Sequence, residues 1–152
     1  MAEEKQTLYE GRYARMVRRG RWEFVERVNT SGIVAIVAIT ERNQIILTEQ
    51  FRPPLDCNTV ELPAGLAGDR PTAHGEALAE AARRELLEET GYTADTMEYL
   101  MEGPASSGLT TEVISFFLAQ GLRRKAGGGG EGSESIQVHE VPLSGIAEWL
   151  HQ

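Results

Sequence analysis

Glu76-Ala-Leu-Ala-Glu-Ala-Ala-Arg-Arg-Glu-Leu-Leu-Glu-Glu-Thr-Gly-Tyr92 is the stretch that decides how this chain is read. Glu85, Glu88 and Glu89 fall at i, i+3 and i+4, so on a helix they share one face. Leu78, Ala81 and Ala82 lie on that face one or two turns earlier. Their small side chains let a helix from about Glu76 to Thr90 rest against a sheet, while its acidic end projects past the packed region. Gly91 stands where a left-handed C-cap belongs. Three carboxylates so close repel one another unless cations lie between them. Hard divalent cations such as Mg²⁺ prefer oxygen ligands and are held by a few carboxylates together with substrate phosphates. The spacing therefore points to metal held against something phosphorylated. Arg84 has Glu80 and Glu88 at i±4 and is expected to orient Glu88 through a salt bridge.

Around that segment the chain reads as one domain over residues 1–152, with an N-terminal hairpin over about 8–30 and a core over about 31–152. The net charge of −8 argues against nucleic acid as a partner, since a phosphate backbone needs clustered Lys and Arg. The most apolar run, Ile33 to Ile39, is too short to span a bilayer. The single cysteine, Cys57, provides no internal disulfide, and the first residues lack an apolar signal region, so the expected setting is cytoplasmic. Cys57 and the three histidines, His74, His139 and His151, show no catalytic or ligand spacing.

Strands are expected at Tyr13–Val17 and Trp22–Val28, forming the N-terminal hairpin. The β-branched run Gly32–Thr40 reads as a buried strand paired with Gln44–Phe51 across a turn at Glu41-Arg-Asn43. Pro53-Pro54 ends that second strand, because proline donates nothing to a ladder. Further strands fit Thr59–Leu62, Glu98–Glu102, Glu112–Ala119 and Ile136–Val141, and a closing helix fits Leu143–Gln152, docked by Trp149. Lys125–Ser135, with Gly127-Gly-Gly-Gly130 and Gly132, reads as a mobile loop. One long helix among many strands gives an α/β architecture, a mixed β-sheet with helices packed on it.

The Glu76–Tyr92 segment resembles the signature of the Nudix hydrolase superfamily: Gly, five residues, Glu, seven residues, Arg-Glu, an aliphatic residue, any residue, Glu-Glu, any residue, Gly, aliphatic. Glu76, Arg84-Glu85-Leu86-Leu87-Glu88-Glu89-Thr90-Gly91 and Tyr92 match it. The leading glycine departs from the pattern. Its position holds Arg70, and the equivalent residue is Gly65 of Glu61-Leu62-Pro63-Ala64-Gly65, so the loop carries five extra residues and the role of Glu76 is weakened. Glu49-Gln50-Phe51-Arg52 and Ser106-Ser107-Gly108-Leu109-Thr110-Thr111-Glu112 are similar to the ADP-ribose and nucleoside-diphosphate-sugar pyrophosphatase branch. Ser107 stands where ADP-ribose pyrophosphatases usually carry proline, which puts strict ADP-ribose preference in doubt.

The resemblance implies a Nudix fold, a mixed sheet between helices (α/β/α), and Mg²⁺-dependent cleavage of a pyrophosphate, with Mn²⁺ as a substitute. The products are a nucleoside monophosphate and a sugar phosphate. It implies metal ligands at Glu85, Glu88, Glu89 and the Ala64 carbonyl, a phosphate clamp at Arg52, and a sugar side lined by Ser106, Gly108 and Glu112. It places the general base on a loop glutamate, Glu131 or Glu134, with Glu134 favoured because it lies two residues before Ile136. It also implies a homodimer formed through the N-terminal strands. Two other readings stand beside it: a nucleoside triphosphate or dinucleoside polyphosphate hydrolase, and a non-catalytic nucleotide-sugar sensor.

Overall fold

The computed structural model describes residues 3–68, 75–125, 127–130 and 135–151. The chain opens with β1 (Lys5–Glu10), β2 (Ala14–Arg19) and β3 (Trp22–Arg27), an antiparallel sheet in that order. The expected hairpin is thus three-stranded. β1 is exposed along its whole length, so it carries no alternation by which a sequence could reveal it. Backbone pairing to β2 and the Lys5–Glu26 ion pair at 3.0 Å hold it in place.

β4 (Gly32–Ala38), β5 (Gln44–Arg52), β6 (Cys57–Glu61) and β7 (Ala64–Ala67) precede helix α1 (Leu78–Thr90). After it come β8 (Tyr92–Thr93), β9 (Thr96–Pro104), β10 (Val113–Gln120), β11 (Arg123–Arg124) and β12 (Gln137–Pro142). The main sheet runs β7-β4-β10-β9, with β10 parallel to β4 and antiparallel to β9. β4 and β5 do not form the expected ladder. Beyond one bridge at Ile39 and Ile45, β5 leaves for a second antiparallel sheet, β12-β5-β6. β4 is flanked by β7 and β10 instead, which suits a strand whose Val34, Ala35 and Ile36 are all buried.

Helix α1 packs on this frame through Ala81, Ala82 and Leu86, each with no exposed surface, against Val34, Ile36, Ala38, Ile46 and Phe117. Gly32 lets the helix come close, since a Cβ there would stand 2.6 Å from Leu78 Cδ2. Gly91 ends the helix in the left-handed region at φ 75° and donates its N–H to Leu87 O at 2.8 Å. The closing helix is shorter than expected. A 3₁₀ turn at Leu143–Gly145 leads into α2 (Ile146–Trp149), because Gly145 adopts φ −117° and ψ 8°, outside the helical range. Trp149 does dock, edge-on to the His139 ring of β12 at 5.0 Å. No helix among the described residues is long and apolar enough to cross a membrane.

Candidate active site

The last two turns of α1 deliver their carboxylates to the turn that joins β6 to β7. That turn is pinned to the central strand, where Pro63 O accepts the Ile36 N–H at 2.8 Å and Ala64 and Gly65 pair with Ala35 and Val34. Glu89 is only 6% exposed, and its Oε2 accepts the Ala64 N–H at 3.0 Å. Glu85 lies against Gly65. A Cβ on residue 65 would fall 2.0–2.4 Å from the Glu85 carboxylate atoms, so a side chain there would push that carboxylate from its place.

Arg84 binds this cluster together. Its guanidinium donates to Glu85 at 2.7 Å, to Glu88 at 3.1 Å, to Glu76 at 3.2 Å and to Leu66 O at 2.9 Å. Burial works against its charge, but the hydrogen bonds and charges of Glu76 and Glu85 outweigh that, and Arg84 is held protonated well above its ordinary range. The pairing with Glu88 is as the sequence implies, but that with Glu80 is not. Glu80 turns to Arg83 at 3.9 Å, and Glu76, just ahead of the helix, takes the second place on Arg84. Glu76 therefore has a direct structural role despite the lengthened loop, of which residues 69–74 lie outside those described.

The donor set suits a hard divalent cation: carboxylate oxygens, one of them buried, beside a backbone turn carrying its own carbonyls. The cradle at Gly65 makes space for a carboxylate rather than for packing. Among the described residues the acids do not stand as a ready-made three-ligand cluster, and Arg84 sits between Glu85 and Glu88. The guanidinium offsets the repulsion between these acids.

The other candidate residues gather in two places. On the β5–β6 hairpin, Arg52 makes a bidentate pair with Glu61 at 2.7 and 2.6 Å, and the Thr59 hydroxyl also donates to Glu61. The Arg52 hydrogen bond holds the Glu61 carboxyl below the usual carboxylate range. In the loop at 105–112, Ser106 O accepts the N–H groups of Leu109 and Thr110, and Glu112 pairs with Arg27 of β3 at 2.7 Å. The same loop is laced to β3, where Val25 N–H donates to Leu109 O at 2.8 Å and Thr111 N–H donates to Val25 O at 3.1 Å. Ser107, Gly108, Thr110 and Thr111 line a cleft of about 360 Å³ with Trp22 and Phe24. Arg27 and Leu66 share a smaller cleft, about 240 Å³, and the Leu66 carbonyl accepts from Arg84.

Glu131 and Glu134 lie outside the described residues. The chain on either side of them is anchored: Gly130 N–H donates to Glu88 O at 3.1 Å, and Ile136 N–H to Gly129 O at 3.2 Å. Gly127–Gly130 is thus docked rather than the free loop expected of four glycines. Sequence reasoning also missed Glu61 and Arg27. Glu61 was within reach, because it shares a hairpin face with Arg52. Arg27 and Glu112 are 85 residues apart and carry no local signal.

The family described as the NUDIX domain matches residues 30–150, and the chain belongs to it. Among relatives, it is 40% identical over 123 residues to the ADP-ribose pyrophosphatase of Bacillus subtilis, covering 78% of this chain and 62% of that protein. It is 36% identical over 128 residues to the methanol dehydrogenase activator of Bacillus methanolicus, covering 84% and 66%. Against the GDP-mannose pyrophosphatase of Pectobacterium atrosepticum it is 38% identical over 112 residues, covering 68% and 54%. The chain thus spans between half and two thirds of the length of these relatives. A crystal structure of an ADP compounds hydrolase shares the fold at a TM-score of 0.75 and 21% identity, covering 100% of this chain and 83% of that one.

Proposed function

We propose that this chain is a Mg²⁺-dependent hydrolase of the pyrophosphate bond in nucleoside diphosphate sugars such as ADP-ribose. The observation that carries the reading is the convergence of Glu85 and Glu89 on the Ala64–Gly65 turn, with Glu88 joined to Glu85 through Arg84. The names of the relatives from Bacillus subtilis and Pectobacterium atrosepticum support the substrate class. Water adds to one phosphorus, the bridging P–O bond breaks, and a nucleoside monophosphate and a sugar phosphate leave. Glu85, Glu88, Glu89 and the Ala64 carbonyl hold Mg²⁺, or Mn²⁺ in its place. The bound cation supplies charge neutralisation on the pyrophosphate and a more acidic water.

Arg52, its plane set by Glu61, grips a phosphate oxygen through its guanidinium. Ser106, Gly108 and Glu112 line the sugar side from the loop stitched to β3. Glu134, or Glu131, takes the proton from water. The functional form is a cytoplasmic homodimer built through the N-terminal strands, where Tyr9 and Trp22 are 71% and 56% exposed in the single chain.

The test is a panel of ADP-ribose, GDP-mannose, UDP-sugars, diadenosine polyphosphates and deoxynucleoside triphosphates, ranked by kcat/KM. The reading requires a diphosphate sugar at the head of that ranking. A triphosphate or a dinucleoside polyphosphate in first place overturns it, and binding of ADP-ribose without turnover of any compound favours a sensor.

A further inference from the structure

The run Gly127–Gly130 has a structural task that its composition hides. The last turn of any α-helix leaves carbonyls without helical partners. In α1 the orphan at Leu87 is taken by the Gly91 cap. Those at Glu88 and Glu89 are taken by glycine amides from a distant part of the chain: Gly130 N–H donates to Glu88 O at 3.1 Å, and Gly129 N–H to Glu89 O at 2.8 Å. Lys125 N–H adds a bond to Gly91 O at 2.8 Å, and Ile136 N–H closes the return at Gly129 O. Ile136 is buried, which ties the return to the core.

The contact demands glycine. Gly128, Gly129 and Gly130 adopt φ of 69°, 110° and 83°, a region that side chains disfavour. A Cβ on residue 128 would also stand 2.5 Å from the Thr90 carbonyl carbon and 2.8 Å from Gly91 N, both immovable backbone atoms. Gly127 differs, since a Cβ there meets nothing within 4 Å and its φ is not in that region.

We propose that Gly128, Gly129 and Gly130 are positioning residues for the carboxylates of Glu88 and Glu89: a backbone clamp that fixes the end of α1 and thereby sets divalent-metal affinity. The inference rests on the metal reading above. The clamp grips the backbone of the two residues whose side chains are asked to hold the cation. Loosening it lets the last turn fray, so the ligand pair loses its preorganisation before the protein loses its fold.

The test is Mn²⁺ binding without substrate, followed by electron paramagnetic resonance, in the full chain and three variants, with far-UV circular dichroism and thermal melting alongside. Gly128→Ala is expected to weaken Mn²⁺ binding by about tenfold or more, in the range typical for residues that support metal ligands. Gly129→Ala, strained in φ but with space for its methyl, should weaken it less, and Gly127→Ala should match the parent. If Gly128→Ala does not fold, the contrast between Gly129→Ala and Gly127→Ala decides. Parent-like Mn²⁺ affinity in every folded variant at positions 128 and 129 overturns the clamp. Absence of Mn²⁺ binding by the parent chain instead overturns the metal reading on which it rests.

Discussion

Helix α1 and the loop at 105–112 hold their polar groups by different means. The helix is fixed from every side: Leu86 and two alanines in the core, Arg84 across its acids, Ala64 N–H on Glu89, and glycine amides on its final carbonyls. Among the described residues the loop leans on the N-terminal sheet, through two backbone bonds to Val25 and an ion pair to Arg27, and its tip at Gly108 faces open space. Charge-bearing groups held by many partners are suited to chemistry that tolerates little displacement. A rim held by one removable element suits selection among substrates. In the proposed function this places catalysis on the helix and discrimination on the loop.

The largest effect that can break this division is expected from Glu89→Gln. Removing the charge while keeping the shape should lower kcat by about a hundredfold or more, a loss of the size seen when a group acting in the transition state is removed. Arg84→Leu leaves Glu85 and Glu88 without their shared cation and should cost about ten- to a hundredfold, again in kcat. Steady-state kinetics with metal in excess separate these losses from weak binding. Arg27→Ala acts on the other region: KM should rise several-fold with kcat nearly kept, and the ranking within the substrate panel should change. If Arg27→Ala lowers kcat as Glu89→Gln does, the division fails.

Stability gives a smaller contrast. Leu86→Ala, in the fully buried face of α1, should destabilise the fold by about 2–5 kcal/mol in chemical denaturation. The smallest effect concerns Glu61. Its carboxyl is held below the usual range in the folded state, chiefly by Arg52, so its contribution is complete above the ordinary carboxylate pKa and fades as pH falls through the folded value. The difference in melting temperature between the parent and Glu61→Gln should therefore be constant near neutrality and close in acid. A difference that grows on acidification contradicts the pairing.

The same two regions show what a sequence reveals. The carboxylate face of α1 is legible because its geometry is local: positions 85, 88 and 89 share a face at any helical phase, and Gly91 caps them. The core strands were legible for the same reason, through short runs of β-branched residues. What escaped is non-local or silent. β5 departs for the second sheet because β4 already has two neighbours, a fact of topology rather than of pattern. β1 has no buried face to announce it. Arg27 meets Glu112 only because the N-terminal sheet folds back on the loop. Four glycines read as freedom, yet Gly129 and Gly130 bond the last carbonyls of α1 and Gly128 packs against the Thr90 backbone, contacts that composition does not reveal.

In the proposed function the carboxylates of α1 hold the metal that makes a diphosphate sugar labile. Phosphorus-31 NMR of ADP-ribose turnover, with Mg²⁺ and with a chelator, in the parent and in Glu89→Gln, tests it most directly. Equal amounts of AMP and ribose 5-phosphate are expected from the parent with Mg²⁺, no products with the chelator, and nearly none from Glu89→Gln. Product formation that survives the chelator, or a Glu89→Gln variant as active as the parent, would contradict it.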